Sequence, residues 1–197
     1  MTINSEKIKL NEAIKNRWSP RKFKDKPVPD EMLELLFEAA RKAPSSRNEQ
    51  PWQYYFAKKQ DESAFNQLFE CLTEGNKVWA KSAQVLMVSV MKKNFEYQNR
   101  PNGKALHDVG AANVSLAIQA AEMGLQAHQM GGFDKKKAAE MLQPDPEKFE
   151  PVTMIAVGFP ADESEFTEDD EKRMEQHNSR KEITDFAFSL EGQKRLI

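Results

Sequence analysis

Apolar positions follow two rhythms along this chain. Ile8, Leu10 and Ile14 give residues 5–16 one amphipathic side, and spacing near the helical period predicts a first helix there. The polar segment RWSPRKF follows, with a proline that favours extended backbone. Pro29 and Asp30 open a stronger helix, with Met32, Leu33, Leu36, Phe37 and Ala40 at helical spacing, and Pro44 ends it. The stretch APSSRNEQP then collects turn formers and reads as a loop. Short apolar runs at residues 52–57, 85–91 and 152–157 predict strands. Between the first two, residues 62–74 suit a helix around Phe65, Leu68, Phe69 and Leu72.

The strongest periodic stretch spans residues 105–123, where Leu106, Val109, Ala112, Leu116 and Ala120 form an apolar stripe. Alanine and glycine flank that stripe, so neighbours can approach closely from several sides, and a central, largely buried helix is expected. Gly124 is placed to cap it, and Asp134 to start a further helix at KKKAAEML. Residues 162–171, DESEFTEDDE, carry seven acidic side chains and read as a solvated surface excursion. Residues 182–197 keep Ile183, Phe186, Phe188 and Leu190; so much apolar surface on a tail is expected to pack, in this subunit or another. Helices around a few separated strands give an α+β fold with a modest sheet.

Composition narrows the picture. At 197 residues the chain suits one domain, 1–197. Cys71 is the only cysteine, which excludes an internal disulfide and fits a reducing compartment, where it would be a small buried hydrophobe. With 29 basic and 31 acidic residues, nothing pulls the chain as a whole toward nucleic acid or membrane. No apolar run reaches the roughly 20 residues of a membrane span, and the opening residues are too polar for a signal peptide. A cytoplasmic protein is expected.

Several chemistries drop out. The chain has no GxGxxG, no GxxxxGK[ST] and no GxSxG, and His107, His128 and His177 show no metal-binding spacing. His107 and Asp108 are neighbours on a predicted helix, with side chains about 100° apart, poor geometry for a dyad. Two polar segments remain. Arg17, Ser19 and Arg21 alternate in RWSPR, and an extended backbone sends them to one side. Two guanidinium groups and a hydroxyl together suit a phosphate, although a basic surface turn has the same sequence. In PSSRNEQPW, Asn48 carries a donor and an acceptor on one amide, which matches a ring edge offering N–H beside C=O. Ser45 and Ser46 let the backbone approach a flat ligand, while a plain turn into a strand would read alike.

Taken in order, these segments resemble the signature of the FMN-dependent nitroreductase family. RWSPRKF is followed about twenty residues later by APSSRNEQPW. The likeness continues in DVGAANVSLAIQAAEMGLQAHQMGGF (108–133), in IAVGFP (155–160) and in the basic pair Arg180 and Lys181. It spans nearly the whole chain. Trp18, where the family often has a basic or polar residue, and Met130, where an aromatic or proline is common, depart from the pattern and leave the substrate side open.

The resemblance implies a central, mostly antiparallel sheet surrounded by helices, a long buried central helix, and a C-terminal extension that packs on a partner subunit. It implies a homodimer with FMN at the subunit interface. Arg17, Trp18, Ser19 and Arg21 would contact the ribityl phosphate and the pyrimidine side of the flavin. Pro44, Ser45, Ser46 and Asn48 would reach it from the second subunit. Gly131 and Gly132 would lie near its reactive edge, and Arg180, with Lys181, would close on the phosphate. Gln50 and Trp52 are expected to be structural. The implied reaction is a ping-pong cycle in which NADH or NADPH delivers hydride to flavin N5 and a nitroaromatic, quinone or related acceptor takes the electrons. Arg21 or Arg17 would stabilise the reduced, anionic ring. No side-chain acid or base and no metal is implied. Enone reduction, dehalogenation and non-catalytic flavin binding are the alternatives on the same scaffold.

Overall fold

A computed structural model describes residues 9–142 and 145–190. The chain divides into two units, Met1–Asp162 and Glu163–Ile197. In the first, the helices are α1 (Glu12–Asn16), α2 (Asp30–Arg41), α3 (Glu62–Phe69), α4 (Glu74–Ala80), α5 (Ala105–Glu122) and α6 (Lys135–Leu142). The strands are β1 (Trp52–Lys58), β2 (Val85–Lys92), β3 (Gln126–Met130) and β4 (Phe149–Gly158). The sheet runs β1-β2-β4-β3, and each neighbouring pair is antiparallel.

Alternation along the two central strands builds a core on each face of the sheet. Leu86, Val88, Val90, Met154 and Ala156 join Phe65, Leu68, Trp79, Ala80 and Ala138 on one side, packing the sheet against α3, α4 and α6. Val85, Met87, Ile155 and Val157 join Leu33, Leu36, Ala40, Ala112, Leu116 and Ala120 on the other, against α2 and α5. Both central strands are therefore apolar on both faces, which is why they appear in the sequence as continuous runs. A register shift between Ser89 and Val90 opposite β4 marks a local bulge.

The α+β expectation holds, and so does the long central helix, with corrections in detail. The first helix starts only at Glu12, capped by the Asn11 side chain; residues 9–11 are not helical, and residues 5–8 of that prediction lie outside the described residues. The stretch 62–74 is not one helix: it breaks after Phe69 and a second helix starts at Glu74. Strand β3, QAHQM, carries too little apolar pattern to be predicted. Leu106 is 60% exposed, so it does not belong to the buried stripe of α5. Cys71 is buried, as expected.

In the second unit, α7 (Glu168–Asn178) takes in the last four residues of the acidic stretch 162–171 and continues beyond it. Thr167 and Asp170 cap one another in a capping box, and four acidic residues in the first turn complement the positive end of the helix. The acidic segment is thus solvated, as read, with its last four residues in a helix. Ile183, Phe186, Phe188 and Leu190 are all exposed.

Candidate functional site

The basic arm, residues 17–24, runs past β3 and the end of β4. Arg17 caps the C-terminus of α1 in extended geometry, its N–H donating to the Ala13 carbonyl. The Gln126 carboxamide brackets it: Oε1 accepts from the Trp18 N–H at 3.0 Å and Nε2 donates to the Asn16 carbonyl at 3.0 Å. Gln126 is only 6% exposed, so these two bonds satisfy a polar group that burial would otherwise make costly. Further on, Nδ1 of His128 donates to the Pro20 carbonyl at 2.8 Å, and Lys24 N–H donates to the Phe159 carbonyl at 2.9 Å. Arg17 Nη1 lies 3.5 Å from Ser19 Oγ, so alternation does bring these two polar groups together. Arg21 lies with its guanidinium over the Trp79 ring, 5.8 Å from the centroid.

Gly131 and Gly132 follow β3. A side chain at Gly131 would meet nothing within 4 Å, so this backbone offers an open face. Gly132 differs. Its carbonyl accepts from Thr73 Oγ1 at 3.0 Å, from the Thr73 N–H at 3.0 Å and from Asn76 Nδ2 at 2.9 Å. A Cβ there would stand 2.6 Å from Asn76 Nδ2, so glycine is required by close approach.

The loop with Pro44, Ser45, Ser46 and Asn48 is held differently. Arg47, Asn48 and Gln50 all adopt positive φ, at 57°, 56° and 49°. Such backbone costs about 1–2 kcal/mol per non-glycine residue and persists where surroundings over-determine it. Those surroundings are visible. Ser46 N–H donates to buried Asp108 Oδ2 at 2.9 Å, Ser45 Oγ accepts from the Gln50 N–H at 3.0 Å, and Glu49 accepts from the Glu96 N–H. Asn48 is exposed, its carboxamide engaging no other described residue. Trp52 starts β1 half-buried against the core that holds α2 and α5.

These two groups do not meet in one chain. Trp18 hangs on Gln126, which pairs with Gly158 at the end of β4. Trp52 pairs with Met91, which pairs with Glu150 near the start of β4. At strand dimensions the loop and the arm are about 27 Å apart along the sheet and about 14 Å across it, on opposite edges. Arg180 and Lys181 lie in the second unit, where Arg180 Nη1 donates to the Ser179 carbonyl at 2.7 Å.

Sequence reading missed the residues that hold this frame: Thr73, Asn76, Trp79, Asp108, Gln126 and His128. For Gln126 and His128 a signal existed, because they alternate with buried Met130 on one side of a strand. His107 and Asp108 were set aside as divergent neighbours. In the structure Nδ1 of His107 nevertheless comes within 3.0 Å of Asp108 Oδ1, the imidazole exposed and the carboxylate buried.

A four-stranded antiparallel sheet between helical layers, with a basic arm and a polar loop at its two ends, matches known proteins closely. The profile described as the nitroreductase family matches residues 14–159, and the chain belongs to that family. A crystal structure of an oxidoreductase containing FMN is 34% identical, with a TM-score of 0.84, covering 96% of this chain and 98% of that one. An FMN-dependent nitroreductase from Clostridium difficile R20291 is 26% identical, with a TM-score of 0.65, covering 80% of this chain and 92% of that one. A curated protein of Archaeoglobus fulgidus, provisionally named an NADH dehydrogenase/NAD(P)H nitroreductase, is 28% identical over 162 residues, 81% of this chain and 90% of its own length. Among the described residues no helix is long and apolar enough to cross a membrane.

Proposed function

We propose that the protein is an FMN-dependent NAD(P)H oxidoreductase acting as a homodimer. Each flavin is held by the 17–21 arm and the Gly131 and Gly132 backbone of one subunit and by residues 44–48 of the other. The observation that carries this reading is the distance between the two groups. Both are built as ligand-facing surfaces, both lie far from each other in one chain, and a second copy supplies the missing half at each end.

The donor set fits FMN. Arg17 and Ser19 offer cationic and hydroxyl donors side by side, suited to a phosphate monoester. Arg180 and Lys181, in the second unit, are further cationic side chains of the kind a phosphate takes. Asn48 presents an unengaged amide on a loop pre-shaped by positive φ, suited to a ring edge with N–H beside C=O. Gly131 gives open backbone against which a flat ring can lie. Trp18 contributes its backbone to the arm through Gln126.

When bound, FMN supplies the redox chemistry, taking hydride from NAD(P)H and passing electrons to an acceptor. The chain's residues bind and orient. Arg21 or Arg17 would place positive charge beside the ring in advance, where it costs no reorganisation. A shared open pocket makes donor and acceptor alternate, giving ping-pong kinetics with nitroaromatic or quinone acceptors, in the cytoplasm. An outward apolar stripe on α5, Leu106, Gly110 and Val114, supports the dimer, because its first and last members are 60% and 49% exposed.

The test is direct. Purified protein should be yellow, release FMN rather than FAD on denaturation, and be bleached anaerobically by NADH or NADPH. Protein that binds FMN but is bleached by neither would be a flavin-binding protein without this activity.

A further inference from the structure

Pro20, Arg21, Trp79 and His128 close on one another. His128 Nδ1 lies 2.8 Å from the Pro20 carbonyl oxygen, so that nitrogen carries the proton and donates. The His128 ring stacks on the Trp79 indole, with centroids 4.4 Å and planes 28° apart. The Arg21 guanidinium lies over the same indole at 5.8 Å, and Arg21 follows Pro20 in the chain. Trp79 has a second connection. Its Nε1 donates to Asn76 Oδ1 at 3.3 Å, and Asn76 Nδ2 donates to the Gly132 carbonyl at 2.9 Å. One side chain, 8% exposed, thus touches the basic arm directly and the glycine loop through Asn76.

We infer that Trp79, backed by His128, is a positioning residue that fixes the Arg21 guanidinium relative to the Gly131 and Gly132 backbone. The inference rests on the assignment of Arg21 and the glycine loop to FMN. Arginine has a long, rotamer-rich side chain, and a charge spread over many positions stabilises a ligand poorly. An indole face raises the population of one orientation by about threefold to tenfold. The indole is held at its nitrogen by the hydrogen bond to Asn76 and at its ring by stacking on an imidazole tied to Pro20. Charge aimed in advance is what electrostatic tuning of a bound ring requires. Its effect is expected on flavin affinity and potential.

The experiment uses the FMN-loaded protein and measures the FMN dissociation constant by fluorescence quenching and the midpoint potential of the bound flavin. The variants are Arg21→Ala, Trp79→Leu, Trp79→Phe, His128→Leu and the double variant Arg21→Ala/Trp79→Leu. Trp79→Leu and His128→Leu should each weaken FMN binding by about threefold to tenfold and lower the potential, in the direction of Arg21→Ala. Trp79→Phe keeps an aromatic face and should restore most of the potential. In the double variant, Trp79→Leu should add little to Arg21→Ala, the non-additivity expected of residues acting through one another. Melting of the apoproteins checks folding, and His128→Leu and Trp79→Phe give the answer if Trp79→Leu is unstable. Full additivity, or unchanged potentials in Trp79→Leu and His128→Leu while Arg21→Ala shifts, overturns the positioning role. An Arg21→Ala protein with unchanged affinity and potential overturns instead the assignment of Arg21 to FMN, and the inference with it.

Discussion

Ser46 and Asp108 are joined across 62 positions of sequence by one hydrogen bond, the Ser46 N–H donating to Oδ2 of the buried carboxylate at 2.9 Å. The bond ties the loop before β1 to the first turn of α5, and Asp108 is only 3% exposed. Hydrogen bonds to charged groups contribute about 1.5–3 kcal/mol. Asp108→Ala should therefore lose about that much in urea denaturation, and its FMN affinity should fall because the Asn48 loop loses its tether. Asp108→Asn keeps an acceptor oxygen and should lose less. An alanine variant as stable as the parent would show that the loop is held elsewhere.

Gly131 and Gly132 should respond differently to alanine. At Gly131 a methyl meets nothing within 4 Å, so Gly131→Ala should change stability by less than about 0.5 kcal/mol. Any loss of flavin binding there would reflect the open backbone face. At Gly132 a Cβ meets Asn76 Nδ2 at 2.6 Å and Thr73 Oγ1 at 2.9 Å. Both are ends of short side chains and could move, but moving them breaks their bonds to the Gly132 carbonyl. Gly132→Ala should cost about 1–3 kcal/mol. Equal melting temperatures for the two variants would contradict this.

How much of this was legible depended on whether local pattern or distant contact decides each element. Helix α5 and the two central strands declare themselves, because burial on one stripe or on both faces dictates their side chains. The break between α3 and α4 does not. There the Thr73 N–H donates to the Gly132 carbonyl and the Cys71 carbonyl accepts from the Asp134 N–H, so a loop about sixty residues away takes the groups that would have continued the helix. Strand β3 stayed hidden for a similar reason, since Gln126 and His128 are matched by backbone atoms of residues 16–20 rather than by apolar neighbours. Arg17, Ser19 and Asn48 were visible as candidates because their chemistry is intrinsic, and Gly131 and Gly132 were visible only through the family resemblance. Trp79 and Asn76 were not, because their roles exist only where α4 meets the arm and the glycine loop.

Tyr54 gives a pH signature. Its phenol donates to Asn113 Oδ1 at 2.8 Å, and Asn113 Nδ2 donates to Ser89 Oγ at 3.2 Å inside the core. Burial pushes the Tyr54 phenol well above its usual value near 10. With the folded value raised above the unfolded one, the stabilisation is complete below about pH 10 and is lost as pH rises beyond it. Tyr54→Phe should flatten that part of the alkaline decline in urea midpoints. At neutral pH it should cost about 1–3 kcal/mol, because Asn113 Oδ1 loses its donor. Parallel profiles for parent and variant between pH 8 and about 11 would refute the role.

The proposed dimer makes the last prediction, and it turns on the outer face of α5. Leu106, Gly110 and Val114 are spaced four apart, so they lie on one side of the helix. A Cβ at Gly110 would meet nothing within 4 Å, so this chain by itself gives no packing reason for a glycine that weakens a helix interior by about 1 kcal/mol. A second copy of the helix does give one, because glycine lets two backbones approach closely between flanking apolar side chains. Gly110→Arg and Val114→Arg should then shift the light-scattering mass from two chains to one. FMN should be lost in the same variants if, as proposed, the partner contributes residues 44–48, because those residues leave with it. Circular dichroism should stay near that of the parent, because neither site belongs to the core. A monomer that still holds FMN with parental affinity would separate the two claims and leave the flavin to be bound by the arm and the glycine loop alone.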